Sequence, residues 1–140
     1  MKKLLLIGVP VLLVGFAVSL TIGLAEGQIT KGKSRPLQTK TLMGHVVKPN
    51  CGGIGEGLKA DEIDWATLQA KAELLNECGH ILMADGRCPD KDWADAAKTL
   101  QECSGVLLEK VADKDAEGAK GAFQALTKAC AACHSKHKQS

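Results

Sequence analysis

Near its C-terminus the chain reads Cys130-Ala131-Ala132-Cys133-His134, two thiols one helical turn apart with an imidazole beside the second. Three chemistries use side chains of these types. Covalent haem attachment needs all three groups, because thiols three residues apart reach two vinyl groups of one porphyrin while the next residue offers a nitrogen to the iron. A dithiol–disulfide couple shares the C-x-x-C spacing, but it belongs at a helix N-terminus after a strand, where the helix dipole lowers the thiol pKa. A zinc site of Cys130, Cys133, His134 and His137 has suitable ligand types, yet ligands crowded into one short stretch of helix do not readily surround a metal tetrahedrally. The C-x-x-C-H pattern arises by chance in under about one chain in a hundred of this composition. The haem reading leads.

The segment that must carry the motif is helical by periodicity. Ala116, Ala119, Phe123, Leu126, Cys130 and Cys133 recur at steps of three and four, which puts both thiols on the face that packs inward. Three further segments share this period. The first runs from about Leu37 to Val47, with Leu37, Met43, Val46 and Val47 as its apolar positions, and meets Pro49 and Cys51-Gly52-Gly53, which stop or kink a helix. The second starts after Asp61, carries Trp65, Leu68, Ala72, Leu75 and Leu82, and ends at Ala84-Asp85-Gly86. The third opens after Pro89-Asp90, shows Trp93, Ala96, Ala97, Leu100, Ser104, Leu107 and Val111 on one face, and closes before Asp113. No stretch alternates apolar and polar residues as a half-buried strand would. The expected fold is all-α, and short connections between helices of similar length favour an antiparallel up-down-up-down four-helix bundle with the haem near the C-terminal end of helix four.

Export fits this chemistry. Met1-Lys2-Lys3 is a basic start, Leu4 to Leu24 an apolar run, and Gly23-Leu24-Ala25 a small-x-small cleavage site, so residues 1–25 read as a signal peptide or, uncleaved, an N-terminal membrane anchor. Residues 26–36 are polar with Gly and Lys and read as a flexible tether, leaving 37–140 as the domain. Contact with a membrane is expected only if the first segment stays attached. The expected compartment is periplasmic or otherwise extracytoplasmic, where six cysteines can be paired or covalently used.

The whole chain has 18 Lys+Arg against 16 Asp+Glu. Without Lys2 and Lys3 the two signs balance, which excludes a phosphate-tracking nucleic-acid binder with a strongly basic face. Only Trp65, Trp93 and Phe123 supply large rings after residue 25, and there is no Tyr. A porphyrin filling one end of the bundle would make up the missing aromatic bulk.

A four-helix chain with C-x-x-C-H near its C-terminus and Lys138 four residues after the His resembles the class II c-type cytochromes, the group that includes cytochrome c-prime. The resemblance implies one covalent haem c, with Cys130 and Cys133 as the thioether residues, His134 as the proximal iron ligand and Lys138 as the basic residue near it. It also implies an electron-transfer protein rather than an enzyme, with redox proteins as partners and a possible homodimer through helices one and two. Five-coordinate members of the family carry an apolar residue on the distal side of the iron. An NO- or CO-binding protein is therefore the alternative function, with Leu42 or Leu37 in that distal place.

Bundle geometry limits the sixth ligand to the start of helix one, the end of helix two and the start of helix three. Met43, within Thr41-Leu42-Met43-Gly44-His45, is the expected distal ligand, since a thioether opposite a His makes a low-spin centre of raised potential. His45 lies about 200° further round the helix and faces away. Met83 and His80 near the end of helix two are the other candidates. Cys51, Cys78, Cys88 and Cys103 allow three pairings into two disulfides. Cys88 in a loop and Cys51 in the Gly-rich exit of helix one suit staples, whereas Cys78 and Cys103 also suit small buried apolar positions. Lys136, His137 and Lys138 bring positive charge to the haem end, either as a guide for an acidic redox partner or as a solvated terminus.

Overall fold

Aspartates begin three of the four helices. In the computed structural model, which describes residues 35–138, the Asp64 side chain accepts from the Thr67 backbone N–H at 3.0 Å, Asp90 from that of Trp93 at 2.9 Å, and Asp115 from that of Gly118 at 2.9 Å. Each carboxylate satisfies an amide that the first helical turn leaves without a partner, and each sits at the positive end of the helix dipole. The helices that follow are α2 (Trp65–Met83), α3 (Lys91–Ala112) and α4 (Ala116–His137). Regular structure among the described residues is helical, without strands. The expected signal peptide or anchor at 1–25, and the tether up to residue 34, lie outside the described residues.

The first helix, α1, corrects the sequence reading. It comprises Thr39–Leu42, a wide π-helical turn Met43–Val47 and Lys48–Gly57 without a break, so it passes through Pro49 and Cys51-Gly52-Gly53 instead of stopping there. A proline in a regular helix lacks the N–H for the carbonyl four residues back and presses its ring on that carbonyl. The wide turn ends two residues before Pro49. Leu37, expected inside this helix, precedes it and is 36% exposed. The second helix begins at Trp65, after Asp61 as expected, with Asp64 as its capping aspartate.

One continuous core runs between the helices. Ile54 of α1, Leu68 and Leu75 of α2, Leu107 of α3 and Leu126 of α4 are all fully buried. Truncating any of these to Ala removes about 2–5 kcal/mol. Gly79 of α2 lets the third helix approach closely, since a Cβ there would lie 2.6 Å from Gln101 Cγ and 3.2 Å from the Ala97 carbonyl oxygen. The buried Ser104 hydroxyl donates to the Leu100 carbonyl at 2.6 Å and accepts from Asn76 Nδ2 at 3.0 Å, which stitches α3 to α2 without leaving a polar group unsatisfied.

The loop from α2 to α3 turns through Asp85 and Gly86, both at positive φ. Arg87 follows and is 1% exposed, with its Nη1 donating to the Leu37 carbonyl at 2.6 Å. Arg35 Nε lies 2.6 Å from Asp85 Oδ2. These two contacts pin the segment before α1 to this loop.

Candidate functional site

At one end of the helices a small cleft of about 30 Å³, partly open to solvent, brings residues of all four helices together. Met43 comes from α1, Leu82 from α2, Trp93, Ala96, Ala97 and Leu100 from α3, and Ala129, Cys130, Cys133 and His134 from α4. The lining is carbon and sulfur apart from the imidazole. Three alanines leave room where larger side chains would close the gap. The expected ligand Met43 thus shares the cleft with Cys130, Cys133 and His134, although nearly ninety residues separate it from them in sequence.

Each wall has a local cause. Trp93, at the third position of α3 after the Asp90 cap, is 2% exposed, and its Nε1 donates to the Leu82 carbonyl at 2.9 Å. The same indole carries His137, whose ring meets it edge-on with centroids 5.4 Å apart. Lys136 Nζ reaches Asp92 Oδ2 at 2.6 Å, and His137 Nε2 lies 3.4 Å from Asp90 Oδ1 without hydrogen-bonding geometry. The last turn of α4, which follows the two thiols, is thereby set against the first turn of α3.

The electrostatics of the thiols separate the competing chemistries. Burial pushes the Cys130 thiol up to about 11, with Cys51, Cys133 and Cys103 adding to the shift. Burial likewise raises Cys133, with a smaller contribution from Asp90. Both lie near the C-terminal end of a helix, where the dipole opposes a thiolate. A dithiol exchange site needs the reverse, a lowered thiol pKa at a helix N-terminus. Burial lowers the His134 imidazole, and the Lys138 charge lowers it further, so the neutral, ligating form is favoured.

The zinc quartet is not assembled. His137 packs on Trp93, and among the described residues no three His, Cys, Asp or Glu side chains converge to hold a metal ion. A haem makes a different demand: two thiols one turn apart, one axial nitrogen, and an apolar slot with an open edge. The cleft brings two thiols, an imidazole and the Met43 thioether along one apolar wall, the donor types that would hold such a group. The residues present fit the group.

Several other sequence candidates fall elsewhere. Lys138 caps α4 as an exposed residue outside the cleft lining, its backbone N–H bonded to the His134 carbonyl at 3.1 Å. His45 and His80 are exposed, Met83 is 42% exposed, and none of the three lines the cleft. Leu42 is buried in the core and Leu37 is exposed, and neither lines the cleft. All six cysteines are free thiols. Cys51 lies within α1 rather than in a loop, and Cys78 is buried, with its thiol pushed up to about 11 chiefly by burial.

The walls formed by Trp93, Leu82 and Leu100 escaped the sequence reading as site residues. They carry the same three-and-four spacing as core positions; Leu82 and Trp93 stand near helix ends, while Leu100 lies near the middle of α3. Comparison with protein-family models, curated proteins and solved structures finds no match to this chain.

Proposed function

We propose that this chain is an exported mono-haem c-type cytochrome that transfers electrons, built as an antiparallel up-down-up-down bundle with the haem at the cleft end. The observation that carries the reading is the cleft itself, where the C-x-x-C-H residues of the last helix and Met43 of the first line one apolar slot. Cys130 and Cys133 would hold the group by thioether bonds, His134 would be the proximal ligand and Met43 the distal one. When bound, the group supplies a single iron that takes up and gives back one electron.

The chain's own residues do the rest. Leu82, Trp93 and Leu100 give the slot an apolar wall, which would disfavour the more highly charged ferric state on that side. Met43, which lines the same cleft as His134, would favour the reduced state of a bound haem iron if its thioether ligated it. The packing of His137 on Trp93 and the half-exposed ion pair of Lys136 with Asp92 set the end of α4 against the start of α3. Lys138, exposed and four residues after His134, would offer positive charge to an acidic redox protein.

Expression in a host that matures c-type cytochromes, followed by haem staining of a denaturing gel, tests the reading. A stained band at the chain's mass that disappears in Cys130→Ser/Cys133→Ser is expected. An unstained band overturns it.

A further inference from the structure

The buried positions of α1 do not follow a regular helix. Leu42 and Val47 are both buried, five residues apart, whereas Ile54 and Leu58 keep the four-residue step of an α-turn. The extra residue is the wide turn Met43–Val47, in which the Lys48 N–H bonds to the Met43 carbonyl, five residues back. Two neighbours account for it. Pro49 has no N–H for the His45 carbonyl, and its ring would press on that group in a regular helix. Asn50 Nδ2 donates to the Val46 carbonyl at 2.7 Å, the oxygen that the Asn50 backbone N–H would take in an α-turn. The glycine in the turn is not the cause, since a Cβ on Gly44 would meet nothing within 4 Å.

One inserted residue has a defined consequence. With Ile54 and Leu58 fixed in the core, it rotates everything N-terminal to the turn by roughly 100°, the angle per residue of an α-helix. Met43 stands at the start of that turn and lines the cleft with Cys130, Cys133 and His134. A regular helix through the same core contacts would carry Met43 out of the cleft.

We propose that Pro49 and Asn50 are positioning residues for Met43: the proline forces the wide turn, the asparagine side chain closes it, and the resulting register aims Met43 into the cleft. This rests on the haem reading only where Met43 is taken as a ligand. Pro49 is exposed, so its replacement opens no cavity in the core.

The test compares wild type with Pro49→Ala, Asn50→Ala and Met43→Ala. In the haem-free chain, nuclear Overhauser signals from the Met43 methyl to the Trp93 ring and Leu82 report the register alone. They are expected in wild type and should vanish or weaken strongly in Pro49→Ala and Asn50→Ala. In the matured protein, the weak red charge-transfer band of ferric Met–iron ligation is expected in wild type, absent from Met43→Ala, and reduced at least about twofold in the two positioning variants at unchanged haem content. Full retention of the Met43 signals and the band in both positioning variants overturns the proposal. Should one variant fail to fold, the other decides. If the Overhauser signals disappear in the variants while wild type shows no such band, the positioning is supported and Met43 is removed from the iron.

Discussion

Trp93 and Leu82 are joined by a hydrogen bond of 2.9 Å from the indole Nε1 to the backbone carbonyl, and both residues line the cleft. The bond ties the first turn of α3 to the last turn of α2, while His137 packs edge-on against the same ring. Replacing Trp93 by Phe leaves the Leu82 carbonyl without this donor and is expected to cost about 1–2 kcal/mol. Replacement by Ala also empties a buried site and is expected to cost about 3–5 kcal/mol. Urea unfolding of the haem-free chain measures both, and equal midpoints for wild type and Trp93→Phe would show that the bond contributes nothing.

Thiol reactivity distinguishes an attachment site from an exchange site. With the Cys130 and Cys78 thiols pushed up to about 11, alkylation of either is expected to be slow at neutral pH and to rise about tenfold per pH unit through the alkaline range. Rates read by peptide mass spectrometry that level off near neutral pH at Cys130 would instead indicate an activated thiolate.

Helix caps set the acid limb of stability. Hydrogen bonds from the Thr67 hydroxyl and backbone N–H hold the Asp64 carboxyl below its ordinary 3.8, and the Gly118 N–H, with Lys110, does the same for Asp115. A folded pKa below the unfolded one means that the unfolded chain binds more protons between the two values. Stability is complete above the ordinary value and falls as pH drops through the lowered one. Asp64→Asn keeps a capping oxygen but removes the titration, so its urea midpoint is expected to fall less than that of wild type between neutral pH and about pH 3. Parallel curves would remove Asp64 from the acid limb.

Filling the cleft separates folding from loading. Ala97 is 3% exposed and lines the slot, so Ala97→Leu is expected to leave the helical circular dichroism unchanged while blocking haem acquisition. A matured Ala97→Leu protein with full haem content would show that the group sits elsewhere.

Much of the fold was legible because α2, α3 and α4 combine an Asp cap with an uninterrupted apolar period, so local preference and burial agree. The first helix was legible only to Val47. Pro49 and the glycines signal an end, and the wide turn that overrides them depends on the Asn50 side chain and on burying both Leu42 and Val47, which no local pattern announces. Cys130, Cys133 and His134 were readable from their spacing, and Met43 from the requirement that the start of the first helix face the end of the last. Trp93, Leu82 and Leu100 were not, since a cleft wall and a core face share one periodicity. Arg87 gave no signal either. A charged residue in a polar loop reads as exposed, whereas Arg87 is buried and donates to the carbonyl of Leu37, fifty residues earlier.

Intact-mass spectrometry of the chain matured beside a control cytochrome tests the central claim most directly. The account predicts the polypeptide plus the mass of one haem, stable to denaturation and absent when Cys130 and Cys133 are both replaced. The bare polypeptide mass in a sample whose control is fully loaded would contradict it.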